Sequence, residues 1–252
     1  MISLVIAEAA IETVPTQIID HPSVKNYAQR TGRASSQILL DRSYHHSAMV
    51  RANLNSGWKR GRPDIVHFAL MEALSTPLFF SGRLNVYLHT INDKLIFIGE
   101  NLRIPKSYFR FEGLMIDLFE KKVIKSHKAA CNDDDNNNNN NNKDDNNNNN
   151  NILLRLHDDM TFEEVIKKVV KPAKLIGLSK VGIQSTAQAI VAKNISEENT
   201  DCAFIVGGFA KGHFSNNTTA WFNRLYSISH YSLEAHVVIA RLLYECENSL
   251  HI

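Results

Sequence analysis

The residues whose types and spacing best suit chemistry lie in one short basic segment, Lys59-Arg60-Gly61-Arg62-Pro63-Asp64. Pro63 favours the first position of a helix, and Asp64 suits the positive end of the helix dipole. Arg62 and Asp64 are therefore predicted to lie together at a helix entrance. Helix capping alone explains Asp64, but it does not explain three cations within four residues. Such a cluster of positive charge suits an anionic partner.

A second basic segment places Arg103, Lys106 and Arg110 three and four residues apart. Aromatic residues lie among these cations, at positions 108, 109 and 111. If the later part of the segment is helical, the cations line one face of the helix. Cations interleaved with aromatic rings suit a nucleic-acid backbone and an unstacked base. A solvated face above an aromatic core is the alternative, and the pattern alone supports it equally.

A short apolar run, Cys202 to Val206, ends in the paired glycines Gly207 and Gly208. This pattern is typical of a buried strand that runs into a tight turn, where backbone amides can approach a ligand closely. A second strand-like run, Leu225 to Ser229, precedes a helical pattern from Leu233 to Leu250. Together these segments predict a binding site for a nucleotide-like cofactor. The alternative is an ordinary turn without a ligand. No Gly-Lys-Ser/Thr follows at the spacing that a phosphate-binding loop requires.

The elements that must position these residues are predicted from periodicity and turn signals. Strands are predicted at Ile2–Ala7, Gln37–Asp41 and Lys174–Ser179, with a hairpin of Leu84–Thr90 and Lys94–Ile98 around Asn92-Asp93. Helices are predicted at His45–Leu54, after Pro63, after the capping box of Thr161 and Glu164, and at Ile183–Lys193. The adjacent His45 and His46 would point in different directions on a helix, so a solvated or capping role is predicted for them rather than a metal site.

One segment, residues 132–151, differs in composition from the rest of the chain, with fourteen asparagines, five aspartates and one lysine. It has too little apolar surface to offset the entropy cost of folding, and we expect a disordered insertion there. The sequence therefore predicts a single domain over residues 1–252, interrupted at about 132–151. Because the whole chain has a formal net charge of +2 and this segment carries a net −4, the remaining residues are basic.

Composition also excludes several classes of protein. The three cysteines are too few and too scattered for a disulfide framework or a zinc site, which favours a reducing compartment. The first residues lack the basic start and the long apolar core of a signal peptide. No run approaches the roughly 18 apolar residues of a membrane span. A soluble, intracellular protein without a metal is expected.

Several motifs occur together in the order found in one known family. They are Leu40-Asp41-Arg42-Ser43-Tyr44-His45-His46-Ser47-Ala48-Met49, Arg60 to His67, Leu84 to Thr90, Arg103-Ile104-Pro105-Lys106, Arg110 to Met115, Gly207-Gly208-Phe209 with Gly212, and Ser227 to Leu233. The chain resembles the pseudouridine-N1-specific ribosomal RNA methyltransferases of the SPOUT superfamily. The resemblance covers nearly the whole chain except the asparagine-rich segment.

The resemblance implies an α/β fold with a deep trefoil knot in its C-terminal part, a homodimer, and S-adenosylmethionine bound in the knot. The residues that it implies for cofactor binding are Leu178, Ser179, Gly207, Gly208, Gly212, Ser227, Ile228, Ser229, His230, Tyr231, Ser232 and Leu233. Those that it implies for RNA binding are Arg62, Arg103, Lys106 and Arg110. Lys106 replaces an arginine of some members, which keeps the charge but loses the bidentate fork.

The expected reaction is methylation of N1 of a pseudouridine in small-subunit ribosomal RNA, during biogenesis of that subunit. Arg62 and Asp64 are the candidate catalytic residues. Asp64 would orient the base or accept its proton, or else serve as the ion-pair partner of Arg62. The alternatives are an RNA-binding assembly factor without essential catalysis and a related enzyme for another nucleoside. The expected location is the cytoplasm for an archaeal protein and the nucleolus for a eukaryotic one.

Overall fold

Eight strands form one mixed sheet in the computed structural model, which describes residues 1–126, 151–196 and 200–252. The strands are β1 (Ile2–Ala9), β2 (Leu84–Thr90), β3 (Leu95–Ile98), β4 (Val123–Lys125), β5 (Ile152–His157), β6 (Lys174–Gln184), β7 (Cys202–Gly207) and β8 (Arg224–Ser227). Their order across the sheet is β4-β5-β3-β2-β1-β7-β6-β8. The neighbouring strands β2, β1, β7, β6 and β8 run parallel to one another. Beyond β2 lie β3, β5 and β4, each of which is antiparallel to the strand before it.

The central strand β1 is buried along its whole length, as expected for a parallel strand that is covered on both faces. Its side chains alternate between two hydrophobic clusters. Leu4 and Ile6 pack on one face with most of the helices, whereas Val5 and Ala7 pack on the other face. Ile2 aligns with Leu84 of β2 and with Cys202 of β7, so the carboxyl ends of these parallel strands reach the same edge of the sheet.

The helices cover both faces of the sheet. They are α1 (Pro22–Thr31), α2 (Arg42–Arg51), α3 (Pro63–Ala73), α4 (Pro77–Phe80), α5 (Tyr108–Lys121), α6 (Phe162–Glu164), α7 (Ala187–Asn194), α8 (Asn216–Thr219) and α9 (Ala235–Ser249). Helix α6 continues as a π-helical stretch, Val165–Val170. Helices α3 and α9 pack against each other over the β1 face that carries Leu4 and Ile6. Helices α1 and α2 form a separate apolar cluster.

The sequence predicts most of these elements correctly. The mixed α/β class, the first strand, the hairpin of β2 and β3, and the helix after Pro63 are confirmed. The capping box is also confirmed, because Thr161 Oγ1 accepts from the Glu164 amide while Glu164 accepts from the Thr161 amide. The knot stays a prediction. The predicted insertion lies outside the described residues, except for Asn151 at its end.

Two predictions of local structure are wrong, and a third is wrong in one of its alternatives. Residues 37–41 form no strand, because only Leu39 makes an isolated bridge, to Thr13, and the apolar run is instead buried as irregular backbone. The helix predicted from Ile183 begins at Ala187, because β6 continues past an irregularity and pairs Ile183 with Tyr226. Of the two roles predicted for His45, the solvated one is wrong, because the side chain is fully buried. The capping role is supported, because His45 Nδ1 accepts a hydrogen bond at 3.1 Å from the amide of Asp41, the N-cap residue of α2.

Candidate cofactor cavity and cationic surface

A cavity of about 410 Å³ lies where β7 and β8 end and β6 becomes irregular. Ten of the twelve residues predicted for the cofactor line it. They are Leu178 and Ser179, Gly207 and Gly212, Ser227 to Ser229, and Tyr231 to Leu233. Ligands of open α/β sheets bind at the carboxyl ends of the strands, and this cavity has that position. The structure thus brings together three loops that are far apart in the sequence.

The paired glycines at the end of β7 have different surroundings. Gly207 lines the cavity, whereas Gly208 does not. A Cβ atom on Gly208 would lie 2.7 Å from Ile6 Cγ2 and 3.1 Å from Ala9 Cβ, so Gly208 is needed for close packing against β1. Its amide donates to the Ala7 carbonyl at 2.9 Å, which extends the sheet by one residue.

The loop after β8 is held in shape by its own hydrogen bonds. Ser227 Oγ donates to the Ser229 carbonyl at 2.8 Å, and the Tyr231 amide donates to Ser229 Oγ at 3.0 Å. The Ser185 amide donates to the Ser227 carbonyl at 2.9 Å and ties this loop to the end of β6. His230 is exposed and does not line the cavity, whereas Ser229 and Tyr231 on either side of it do.

The cavity also contains residues that the predicted set omits. These are Ile65, Lys180, Val206, Phe209, Ala210, Lys211, His213, Phe214, Glu234, Ala235 and Val238. Those at 209–211 lie inside the glycine loop, and those at 234–238 continue directly from Leu233 into α9, so extending the predicted segments would have found them. Ile65 has no such signal, because only the packing of α3 brings it to the cavity.

Arg62 and Asp64 form a bidentate ion pair at the start of α3. Arg62 Nε lies 2.8 Å from Asp64 Oδ1, and Arg62 Nη2 lies 2.7 Å from Asp64 Oδ2. Both side chains are partly exposed, at 39% and 36%, so solvent screens the pair. The hydrogen bonds that Arg62 donates to Asp64 raise the pKa of Arg62 further above its usual value. Arg62 also lines the cavity, so the ion pair lies at the cavity wall.

A tyrosine and a second aspartate lie next to this pair. Tyr108 Oη donates to Asp41 Oδ2 at 3.3 Å, and Asp41 also caps α2 by accepting from the Ser43 amide at 2.7 Å. Burial, together with the carboxylates of Asp41, Glu112 and Asp64, raises the pKa of Tyr108 well above its usual value. Tyr108 therefore stays protonated and is engaged inside the protein.

The cationic segment before and within α5 lies on the protein surface. Arg103, Lys106 and Arg110 are all exposed, and so is Phe109, at 76%. Helix α5 begins only at Tyr108, so Arg110 alone of these cations is helical. His67 Nε2 lies 2.7 Å from the Pro105 carbonyl, which attaches the segment to α3. The Arg103 guanidinium lies 4.6 Å from the centre of the Phe80 ring. Phe109 is free to stack on a base, whereas Tyr108 is not.

Two cations of the first basic segment are buried, contrary to their interpretation as charges for an anionic partner. Lys59 is 7% exposed and pairs with Glu8, whose Oε1 accepts from the Ser215 amide at 2.7 Å. The Lys59 ammonium also lies 4.5 Å from the centre of the Phe209 ring, on the cavity loop.

Arg60, the second buried cation, is 9% exposed. Its guanidinium Nε donates to Glu12 Oε1 at 2.7 Å, and a second nitrogen bonds the other carboxylate oxygen at 2.5 Å. Glu12 itself is 3% exposed. Of the three cations in this segment, only Arg62 therefore faces the surface.

Burial opposes ionisation of Glu8, but its hydrogen-bond partners and a neighbouring positive charge outweigh the effect of burial. Burial alone would raise the pKa of Glu8, whereas its hydrogen bonds with Lys59, Ser215 and Thr218 and the charge of Lys59 bring the pKa below the usual value. Glu8 is thus held as a carboxylate between Lys59 and the loop that follows β7. The ion pair supports this loop through the Ser215 amide and the Phe209 ring.

Among the residues that the structure describes, no group of three or more histidine, cysteine, aspartate or glutamate side chains could hold a metal ion. No helix within the same residues is long and apolar enough to cross a membrane.

The fold and the site together define an α/β ligand-binding protein with a cavity at the strand ends and a cationic surface beside it. The sequence pattern of one family, described as EMG1/NEP1 methyltransferase, matches residues 4–131 and 140–247. The chain belongs to this family.

Two named relatives support this assignment. A small subunit ribosomal RNA methyltransferase Nep1 of Methanothrix thermoacetophila is 34% identical over 248 residues, which are 98% of this chain and 96% of that protein. The Nep1 protein of Pyrococcus furiosus is 49% identical over 121 residues, 48% of this chain and 53% of that protein, so the chain spans about half its length.

A solved structure is similar over the full length. The crystal structure of Archaeoglobus fulgidus Nep1 bound to S-adenosylhomocysteine superposes with a TM-score of 0.78 at 28% sequence identity. The superposition covers 99% of each chain. The SPOUT-type α/β fold expected from the motifs is therefore the fold of this protein.

Proposed function

We propose that this protein transfers a methyl group from S-adenosylmethionine to N1 of a pseudouridine in small-subunit ribosomal RNA. The observation that supports the proposal most directly is the position of Arg62, which lines the cavity while Asp64 holds its guanidinium. The names of the relatives and the ligand of the Archaeoglobus fulgidus structure support the RNA class and the methyl donor. The choice of N1 of pseudouridine rests on the sequence motifs.

The cavity fits S-adenosylmethionine in size and in chemistry. Its volume of about 410 Å³ falls within the range of small-molecule pockets. Leu178, Ile228 and Leu233 give it an apolar wall that suits an adenine ring, and the peptide groups of the glycine loop suit polar groups. Glu234 adds a carboxylate that attracts a cation. Bound there, S-adenosylmethionine would supply an electrophilic methyl group on a sulfonium centre.

The residues of the chain contribute positioning and charge. Pseudouridine is joined to ribose through carbon, so its N1 carries a proton that must leave as the N1–methyl bond forms. The guanidinium of Arg62 would stabilise the negative charge that develops on the base. Two parallel hydrogen bonds from Arg62 to Asp64 fix the orientation of that guanidinium. Asp64 keeps further lone pairs with which it can accept the proton.

RNA would reach this site along Arg62, Arg103, Lys106 and Arg110. The attachment of Pro105 to His67 supports this proposal, because it joins the segment of Arg103 and Lys106 to the helix that begins beside Arg62. The exposed ring of Phe109 lies within the same segment and offers a stacking surface for an unpaired base.

A homodimer is part of the proposal. Val181 and Ile183 at the end of β6, and Tyr244 on α9, are large apolar side chains that are about 60% exposed, and contact with a second copy would cover them. Tyr244 borders a groove that also contains Ile228, next to the cavity loop. Sedimentation of the wild type beside Tyr244→Glu tests this assignment. A dimer that the substitution leaves intact would exclude this face as the interface.

The proposed reaction is tested by incubating the protein with S-adenosylmethionine and two matched RNA fragments. One fragment carries pseudouridine at the target position, and the other carries uridine. Mass spectrometry should find one added methyl group, on N1, in the first fragment only. Methylation of the uridine fragment would indicate another nucleoside. Absence of cofactor binding in calorimetry, with intact RNA binding, would indicate an assembly factor instead.

The role of Asp64 is tested with Asp64→Asn, beside Arg62→Ala. If Asp64 accepts the proton, single-turnover methylation should fall by a factor of 10² to 10⁴, the usual contribution of general base catalysis, while RNA affinity stays normal. If Asp64 only holds Arg62, RNA affinity and methylation should fall together, as in Arg62→Ala. Unchanged rates in both variants would remove the pair from the reaction.

A further inference from the structure

The α1–α2 region is strongly basic, and neither the cavity nor the proposed target-binding residues account for this charge. Residues 22–51 contain five cations, Lys25, Arg30, Arg33, Arg42 and Arg51, against a single carboxylate, Asp41. Asp41 is buried and is already bonded to Ser43 and Tyr108. Its charge therefore does little to offset the cations at the surface of this region.

Three of these cations, Arg30, Arg33 and Arg51, are exposed and outside any ion pair within the described part of the chain. Arg30 is held in place by aromatic rings. Its guanidinium carbon lies 5.0 Å from the ring centre of Tyr27 and 4.9 Å from that of Tyr44. The two rings are themselves 4.3 Å apart, and Tyr44 is 44% exposed. A guanidinium stacked in this way is oriented before any partner binds, so less side-chain entropy is lost on binding.

Arg33 connects this region to the cationic segment of α5. Tyr27 Oη donates to Glu112 Oε1 at 3.1 Å, a buried hydrogen bond that fixes α1 against α5. Arg33 Nη2 lies 3.9 Å from the position that a Cβ atom on Gly113 would occupy. Gly113 lies three residues after Arg110, and residues with this spacing are neighbours on a helix surface. Arg33 and Arg110 therefore belong to one continuous cationic surface.

We propose that Arg30, Arg33 and Tyr44, the flank-binding surface, bind ribosomal RNA adjacent to the nucleotide that is methylated. The proposal rests on the proposed function, because it assigns RNA to the neighbouring α5 segment. The continuity with Arg110 favours RNA over an acidic protein. Oriented guanidinium groups suit phosphates, and the exposed tyrosine ring suits an unpaired base. The cationic surface would thus extend from the cavity across α5 to the outer face of α1.

The test compares two RNA fragments, a short one limited to the target nucleotide and its neighbours and a longer one with both flanks. The double variant Arg30→Ala/Arg33→Ala should bind the long fragment about tenfold more weakly. Its salt dependence should become shallower by roughly two phosphate contacts. Affinity for the short fragment should not change. Tyr44→Ala should weaken binding of the long fragment alone, with little change in the salt dependence.

The control is Lys25→Ala at the start of α1, because Lys25 already pairs with Asp20 at 2.9 Å. It should leave both affinities unchanged, and calorimetry with S-adenosylmethionine verifies that each variant keeps its fold. An equal loss for both fragments, or no loss for the long one, would overturn the proposal. Selective loss of binding to a polyglutamate probe would also overturn it, in favour of an acidic protein. The difference between the fragments is measured without turnover, so a failed methylation assay leaves this result intact.

Discussion

The cofactor cavity and the cationic surface meet at Arg62 but are built differently. Glycine, alanine and serine residues form much of the cavity wall, and the buried Lys59–Glu8 pair supports its loop through Phe209 and the Ser215 amide. The cationic surface consists of long, exposed side chains, of which Arg103 and Arg30 are oriented by stacking on aromatic rings. A change in a buried ion pair or in the cavity loop should therefore alter the stability of the fold or the affinity for the cofactor. A change on the surface should alter only the binding of an anionic partner.

The basic segment at 59–62 contains both kinds of cation within four residues. Lys59 and Arg60 are buried with Glu8 and Glu12, whereas Arg62 lies at the cavity wall and is partly exposed. Similar side chains therefore have structural roles at two positions and a proposed functional role at the third. Burial and the partner of each charge decide which role applies, because a buried cation is tolerated only with a compensating carboxylate.

The largest expected effect is on stability. Glu12→Ala leaves Arg60 buried without its carboxylate, and breaking a buried pair costs about 3–5 kcal/mol. Urea unfolding should measure this loss of the free energy of unfolding. Asp117→Ala is the matched control, because Asp117 and Lys121 form an exposed pair at 3.5 Å, which should contribute less than about 1 kcal/mol. Equal losses in the two variants would contradict the contrast between buried and exposed pairs.

The next effect concerns the cavity loop. Gly212 has a φ of +91°, where a branched residue is strained, so Gly212→Val should distort the loop. We expect affinity for S-adenosylmethionine to fall at least tenfold in calorimetry, roughly 1.4 kcal/mol. Gly113→Ala, with only Arg33 near the added Cβ atom, is the control and should keep full affinity. If Gly212→Val also binds normally, the loop does not contact the cofactor.

A pH dependence should arise from Glu8, whose folded-state pKa lies below its usual value. Its contribution to stability is fully present above its unfolded pKa of about 4.5 and is lost as the pH falls through the lower folded value. The difference in unfolding free energy between the wild type and Glu8→Gln should therefore be constant from pH 8 to about pH 5.5 and then shrink. A difference that grows on acidification would contradict the lowered pKa.

The smallest effect is expected for one surface cation. Arg103→Ala should weaken RNA binding by a few-fold and make its salt dependence shallower by about one phosphate contact. Affinity for S-adenosylmethionine should not change, because Arg103 does not line the cavity. Binding at two salt concentrations measures both quantities. A loss of cofactor affinity would mean that Arg103 influences the cavity although it does not line it.

The sequence alone predicted the features that depend on local patterns. The hairpin, the capping box, the strand before Gly207 and the helix entrance at Pro63 each rest on neighbouring residues, and each is confirmed. The order of the motifs also predicted the family and the loops around the cavity. These predictions depend on residue type and spacing, which can be read directly from the sequence.

Only the tertiary structure decided which residues of those motifs face a ligand. Gly208 packs on β1 instead of facing the cavity, Lys59 and Arg60 are buried, and Ile65 reaches the cavity from a distant helix. Each outcome depends on partners far apart in the sequence. Charge and hydrophobicity are properties of a residue, but burial and pairing are properties of its surroundings, which form only when the strands and helices pack.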